Sequence, residues 1–288
     1  MQTTSLRIGT CSWKYESWQG LVYPQTGNFN YLQEYSKHYD TVEIDQWFWS
    51  LFKNNTVVLP KASVVKDYAA SVPTGFVCSI KVPNSITLTH QYNKQKNTPL
   101  LANPYFLSTE LMEKFLRTIE PLGEHIGPLM FQFEYLNKNK MADLKVFLEK
   151  FGIFHQSLPE GYQYCVEIRN PNYLTNDYFD FLADHRLGHV FLQGYYMPSI
   201  FELYEKFKNK LVNTVVIRLH GGDRKDIEER TKNIWNEIVD PRDDELAKLR
   251  GMVQDLREKG HQIFININNH YEGSAVKTIE KIKRLLIP

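Results

Sequence analysis

A chain of 288 residues, 42% of them apolar and 14% aromatic, can bury a large core, and α/β barrels of this length are routinely one domain. The formal net charge of +1 gives no general basic field for nucleic acid or for an anionic membrane. The N-terminus, Met1-Gln-Thr-Thr-Ser-Leu-Arg7, lacks an apolar signal core and no run approaches a membrane span, so one cytoplasmic domain over 1–288 is expected.

In chain order, eight runs read as strands: Arg7–Ser12, Thr41–Asp45, Phe76–Lys81, Leu129–Phe133, Tyr164–Arg169, His189–Gln193, Val215–His220 and Ile263–Asn268. Helical periodicity covers Phe29–Tyr39, Val57–Ala70, Leu111–Ile119, Asp143–Phe154, Tyr178–His185, Asp244–Lys259 and Ala275–Leu286, with a weaker signal at Ile200–Phe207. Strands alternating with helices predict a single (β/α)8 TIM barrel. A doubly wound open sheet is the rival fold. It usually carries a glycine-rich turn after its first strand, and Ile8-Gly-Thr-Cys-Ser-Trp13 holds one glycine. The long connections Val82–Ser108 and Gly221–Asp243 both follow strands, which puts them on the C-terminal face as lids or binding loops. Cys11, Cys78 and Cys165 are odd in number and far apart, and each falls in an expected strand. Buried thiols are therefore expected, not a disulfide or a metal site.

Alternation along the strands selects the candidate site. In the last strand Ile263, Ile265 and Ile267 share one face, Phe264, Asn266 and Asn268 the other, and Asn269 and His270 follow. The same parity groups Glu43 with Asp45, Ser79 with Lys81, Gln132 with Glu134, Glu167 with Arg169, and Arg218 with His220. If the aliphatic faces pack on the helices, these polar faces line the barrel, and this fold keeps its chemistry at the C-terminal strand ends. The pocket would then hold Glu43, Asp45, Lys81, Gln132, Glu167, Arg169, Arg218, His220, Asn266 and Asn268. Any one of them could be a solvated strand end, Arg169 could simply brace Glu43 or Glu167, and a Glu167–Arg218 pair could likewise only brace the barrel. Burying so many charges together without use is costly.

Trp13, Tyr15, Trp18 and Tyr23 follow the first strand, and Trp47, Phe48 and Trp49 the second. Such side chains suit the face of a sugar or base, or they plug the barrel mouth. Gly221 and Gly222 follow the seventh strand, and Gly273-Ser274 opens the last helix. Barrels often bind phosphate at those two loops, so an anion is expected between Arg218, the Gly221–Gly222 backbone and that helix start. The chain has no Gly-x-Ser-x-Gly elbow, Cys-x-x-Cys, His-Glu-x-x-His or Walker loop. One histidine in the central set does not supply a multi-zinc site. The sequence names no cofactor. Metal use stays open, with Glu43, Asp45 or Glu167 as the acids that suit one hard cation.

Several stretches resemble the YecE-like family, TIM-barrel proteins catalogued as a domain of unknown function. They are Ile8-Gly-Thr-Cys-Ser-Trp13, Trp18-Gln-Gly20 with Tyr23-Pro24, Thr41-Val-Glu-Ile-Asp45, Phe76-Val-Cys-Ser-Ile-Lys81 with Thr89-His90, and Gly127-Pro-Leu-Met-Phe-Gln132. Glu167-Ile-Arg169, Arg218-Leu-His-Gly221 and Asn268-Asn-His270 with Gly273 and Ala275 complete the series in family order. The family pattern has Asn where Asp45 stands, and a Thr-Phe-Tyr-like run in place of Trp47-Phe48-Trp49, which implies a different pocket mouth. The resemblance implies the barrel and no established reaction. The family's suggested kinship with apurinic endonucleases is one of fold, and fold does not fix function.

The functional expectation is a hydrolase or lyase acting on a small, polar, anionic molecule such as a sugar phosphate. Glu43 or Glu167 would be general base or acid, with His220 as proton partner. Arg169, Arg218 and Lys81 would hold the anion, and Asn266 and Asn268 would orient hydroxyls or a carbonyl. Trp13, Asp45, His90, Gln132, Gly221 and Asn269 complete the candidate binding set. One alternative is a nucleic-acid-binding barrel or phosphodiesterase, which the net charge disfavours. The other is a non-catalytic protein that binds a small ligand. No membrane partner is expected.

Overall fold

In the computed structural model, which describes residues 5–92 and 99–286, each of the eight expected runs forms a strand. They are β1 (Leu6–Thr10), β2 (Thr41–Ile44), β3 (Val77–Lys81), β4 (Ile126–Gln132), β5 (Tyr164–Glu167), β6 (Gly188–Gly194), β7 (Thr214–Gly221) and β8 (Gln262–Ile267). The ladder runs β1-β8-β7-β6-β5-β4-β3-β2 with every pair parallel. Its ends meet at a seam, which makes a nearly closed TIM barrel. There the Tyr35 hydroxyl accepts from the Thr10 amide at 3.0 Å and donates to the Thr41 carbonyl at 3.1 Å. A side chain thus bridges the two strands where no backbone pairing joins them. A Cβ on Gly9 would lie 2.1 Å from the Thr41 carbonyl oxygen, so only glycine permits this approach.

The outer helices are α1 (Tyr31–Ser36), α2 (Ala62–Ala70), α3 (Thr109–Ile119), α4 (Leu144–Gln156), α5 (Asn176–Asp184), α6 (Ile200–Phe207), α7 (Asp243–Glu258) and α8 (Ala275–Leu286). Asn30, Ser108 and Asp143 cap α1, α3 and α4, their side-chain oxygens accepting first-turn amides. Along α3, Leu111, Met112, Phe115, Leu116 and Ile119 recur at helical spacing and face inward. Phe133 of the β4 end meets Phe147 and Phe151 of α4 edge-on, with centroids 4.9 and 5.4 Å away. The aliphatic strand faces belong to this outer apolar layer. A second, small apolar cluster of Met130, Cys165, Val190, Val216 and Phe264 fills the lower barrel interior.

The helix expected at Val57–Ala70 starts five residues later, at Ala62. Leu59 precedes Pro60, which disfavours helix there, and Asn54 and Asn55, both with positive φ, turn a hairpin that pairs Leu51–Phe52 with Thr56–Val57. The connection after β3 holds a short helix, Asn84–Thr87, and a His90–Ala102 bridge; the one after β7 holds a helix at Arg224–Thr231. Residues 93–98 of that first connection, and residues 1–4 of the polar N-terminus, lie outside the described residues. Cys11, Cys78 and Cys165 are buried and free. No helix among the described residues is long and apolar enough to cross a membrane.

Candidate functional site

Arg218 points inward from β7 and reaches the opposite wall. Its Nε and Nη2 donate to the two carboxylate oxygens of Glu43 on β2 at 2.8 and 2.7 Å. Its Nη1 donates to Glu167 Oε2 at 2.5 Å and to Gln132 Oε1 at 3.3 Å. All four side chains are buried. Glu167 also accepts from Arg169 Nε at 3.0 Å. Burial alone pushes the Glu167 carboxyl up, but the charges of Arg218, Arg169 and Lys81 outweigh it and hold it at about 2. A carboxylate fixed in that way is an anion at neutral pH and a poor proton carrier. Arg218 itself is raised, because the two carboxylates outweigh its burial.

Above this layer the charges are set differently. Lys81 ends β3, is only 9% exposed, and places Nζ 4.0 Å from the centroid of the Phe48 ring. Among the described residues it has no carboxylate within ion-pair distance. Burial, then the nearby Arg218, lowers its amine to about 8. Asp45 follows β2, one position beyond the Ile44–Ile80 pair that leads to Lys81. Burial, then Glu43, raises its carboxyl to about 6. His220 is buried beside them, its Nδ1 3.2 Å from the Tyr195 hydroxyl and its Nε2 3.6 Å from Cys11 Sγ. Burial and three neighbouring cations hold its imidazole well below the usual range, so it is neutral. The Cys11 thiol is pushed up by burial and then by Glu43, so it stays protonated. Asn266, level with Arg218, is fully buried and neither atom of its amide has a partner among the described residues. A polar group in that state needs a water or a ligand.

The structure therefore brings together Glu43, Asp45, Lys81, Gln132, Glu167, Arg169, Arg218, His220 and Asn266. The other candidates serve the surrounding loops. Asn268 Oδ1 accepts from the His270 amide at 3.0 Å, and Asn269 Oδ1 accepts from Ala275 N at 2.9 Å, the first residue of α8. A Cβ on Gly221, at φ +76°, would lie 2.3 Å from the His270 carbonyl oxygen. His90 Nδ1 sits 2.9 Å from its neighbour Thr89 Oγ1. Trp13 packs edge-on against Tyr68, 5.1 Å between centroids, beside a cavity of about 590 Å³ that Gln46 also lines. Of the anion place expected between Arg218, the Gly221–Gly222 backbone and the start of α8, two sides already have protein partners. Arg218 faces two carboxylates, and the Ala275 amide at the α8 start donates to Asn269 Oδ1. Among the described residues no group of three or more His, Cys, Asp or Glu is placed to hold a metal ion.

Tyr195 escaped the sequence reading. It follows Gly194 at the end of β6, has φ +55°, and turns its ring toward both His220 and Arg169, whose guanidinium carbon is 5.4 Å from the ring centroid. The Gly194-Tyr195 pair at a strand end was the available signal. The terminal nitrogens of Arg169 have no partner among the described residues, and its side chain is 25% exposed.

A family model described as "Protein of unknown function DUF72" matches residues 7–288. The chain belongs to this family. A DUF72 family protein from Enterococcus faecalis V583 shares the fold with a TM-score of 0.69 at 17% identity, over 98% of this chain and 95% of that one. A DUF72 family protein from Thermotoga maritima MSB8 gives 0.66 at 20% identity, over 98% and 99%. No curated protein matches the sequence. At these identities the neighbours establish the barrel of the DUF72 chain and leave its chemistry to its own residues.

Proposed function

We propose that the DUF72 chain is an enzyme that acts by proton transfer on a small, polar, anionic substrate at the C-terminal mouth of its barrel. Hydrolysis or lyase chemistry suits these groups. The observation that carries the reading is the Asp45 and Lys81 pair. These neighbours at strand ends have proton affinities moved toward neutrality from opposite sides, to about 6 and about 8. Between those values Asp45 is a base and Lys81 an acid, the poise that acid–base catalysis needs. Arg169, with free terminal donors, would hold the substrate anion, and the partnerless amide of Asn266 would take a hydroxyl or carbonyl. Glu43, Arg218 and Glu167 would form the rigid floor.

A thermal-shift screen of sugar phosphates and small carboxylates tests the binding half. A rise in Tm in the parent that shrinks in Arg169→Ala is expected; no rise with any of them would end the anion reading. With a substrate found, the pH profile of kcat/KM should be a bell with limbs near 6 and 8. Binding without turnover would leave a ligand-binding protein. The exposed rings of Trp49, Tyr92, Tyr135 and Tyr196 favour a second reading, a single-stranded nucleic acid stacked across the rim. That reading requires binding that weakens steeply with salt.

A further inference from the structure

We propose that Lys81 is an imine-forming lysine and that the substrate is a small aldehyde or ketone bearing an anionic group. This rests on the anion-binding reading of the mouth given above. Lysines buried in proteins normally keep a carboxylate partner, as Lys281 does with buried Glu272 at 2.6 Å and Lys140 with Glu134. Lys81 is more buried than either and, among the described residues, has the Phe48 ring and no carboxylate in ion-pair contact with its ammonium. A buried ammonium with no carboxylate in contact, whose burial and neighbouring Arg218 outweigh the more distant acids, is a standing cost unless the group is used in its neutral form. An amine attacks a carbonyl only when neutral, and no ion pair has to break here to free its lone pair. At pH 7 about one Lys81 in ten is neutral, from its value of about 8, against a few in ten thousand for an ordinary lysine.

The step balances within the site. The Nζ lone pair bonds to the carbonyl carbon, and a proton from the amine passes by way of the Asp45 carboxylate to the carbonyl oxygen. The carbinolamine hydroxyl then takes a proton from solvent at the mouth and leaves as water while the nitrogen lone pair closes the C=N bond, and the iminium nitrogen gives one proton back to solvent to become the neutral imine. One carbonyl and one amine give one imine and one water, with no oxidant or reductant.

The test uses the intact protein with pyruvate or dihydroxyacetone phosphate and sodium cyanoborohydride, which reduces an imine to a stable secondary amine. Peptide mapping should find Lys81 modified at least tenfold faster than any other lysine, with a rate midpoint near pH 8. The pyruvate and phosphate arms show which anion the site prefers. Lys81→Arg should lose that adduct, but the map of the parent protein decides the matter even if the variant does not fold. Adducts spread evenly over surface lysines, or a Lys81 midpoint no lower than theirs, would overturn the proposal. Lactate and glycerol 3-phosphate separate the two readings, since they carry the anion without the carbonyl. If they slow reductive methylation of Lys81 by formaldehyde while neither ketone forms an adduct, the imine fails and the anion pocket stands. If they do not slow it and no adduct forms, both fail.

Discussion

Arg218 and Lys81 are cations on the inner face of one barrel, yet their surroundings are opposite. Arg218 meets two carboxylates and an amide oxygen, and its proton is held more tightly than usual. Lys81, higher toward the mouth, meets an aromatic ring and holds its proton more loosely. Glu167 and Asp45 repeat the contrast among the acids, one held at about 2 and the other raised to about 6. The difference separates two jobs. Charges in the lower layer are neutralised in pairs and fix the geometry; those in the upper layer are left unsatisfied and can titrate. Stability resides in the first and the capacity for chemistry in the second.

The largest expected effect tests the lower layer. Arg218→Met strands Glu43 in the interior and leaves Glu167 with Arg169 alone, and removing one partner of a buried pair typically costs about 3–5 kcal/mol. Urea unfolding should therefore show a large loss of stability. Lys81→Met is the matched control in the upper layer. It removes a buried charge that has no carboxylate in ion-pair contact among the described residues and whose surroundings on balance disfavour it, so its unfolding free energy should stay within about 1 kcal/mol of the parent or exceed it. If both variants lose the same amount, the division into floor and working layer is wrong. Turnover should behave in the reverse way for Lys81→Met, falling about 10²–10⁴-fold while the protein stays folded.

Much of the floor was legible because strand parity is a local property. Glu43, Glu167 and Arg218 each alternate with aliphatic neighbours, so their common inward direction could be read from a few residues. A bracing pair of Glu167 with Arg169 or Arg218 could be named as an alternative, but the pairing of Glu43 with Arg218 could not. Glu43 and Arg218 are 175 positions apart and on strands that are not neighbours in the ladder, so only the closed barrel shows that one guanidinium spans both acids. Without that closure Arg218 reads first as the partner of an anionic ligand and only alternatively as a brace for Glu167. Phe48 was visible as an aromatic, but its place over Lys81 depends on how the loop after β2 folds back. That loop is tied down by Asn84 of the next connection, whose Oδ1 accepts the Ser50 and Leu51 amides at 2.9 and 3.0 Å, a contact no spacing rule predicts. Tyr35 is similar. It reads as an ordinary core residue of α1, while its hydroxyl joins the barrel's two end strands.

The smallest expected effect is also the most specific, and it concerns Asp45. Its carboxyl is raised from an ordinary 3.8 to about 6, with the attraction of Lys81 and Arg218 already acting against the rise. The net surroundings therefore disfavour its charge. Between about pH 4 and pH 6 the folded chain binds more protons at this position than the unfolded chain does. Stability must then fall as pH rises through that window, by at most about 1.4 kcal/mol per unit, and level off above it. Asp45→Asn carries no charge to disfavour. The variant should match the parent near pH 4 and become the more stable of the two as pH approaches 6 and beyond. The gain should be modest, because Asp45 is partly exposed and solvent screens it. The same substitution removes an anion that supports the Lys81 ammonium, so the amine should titrate below about 8, read as an earlier midpoint in Lys81 labelling. A variant less stable than the parent at pH 7 would mean that Asp45 braces the barrel as Glu167 does. A Lys81 midpoint that stays where it was would mean that the two strand ends do not form one site.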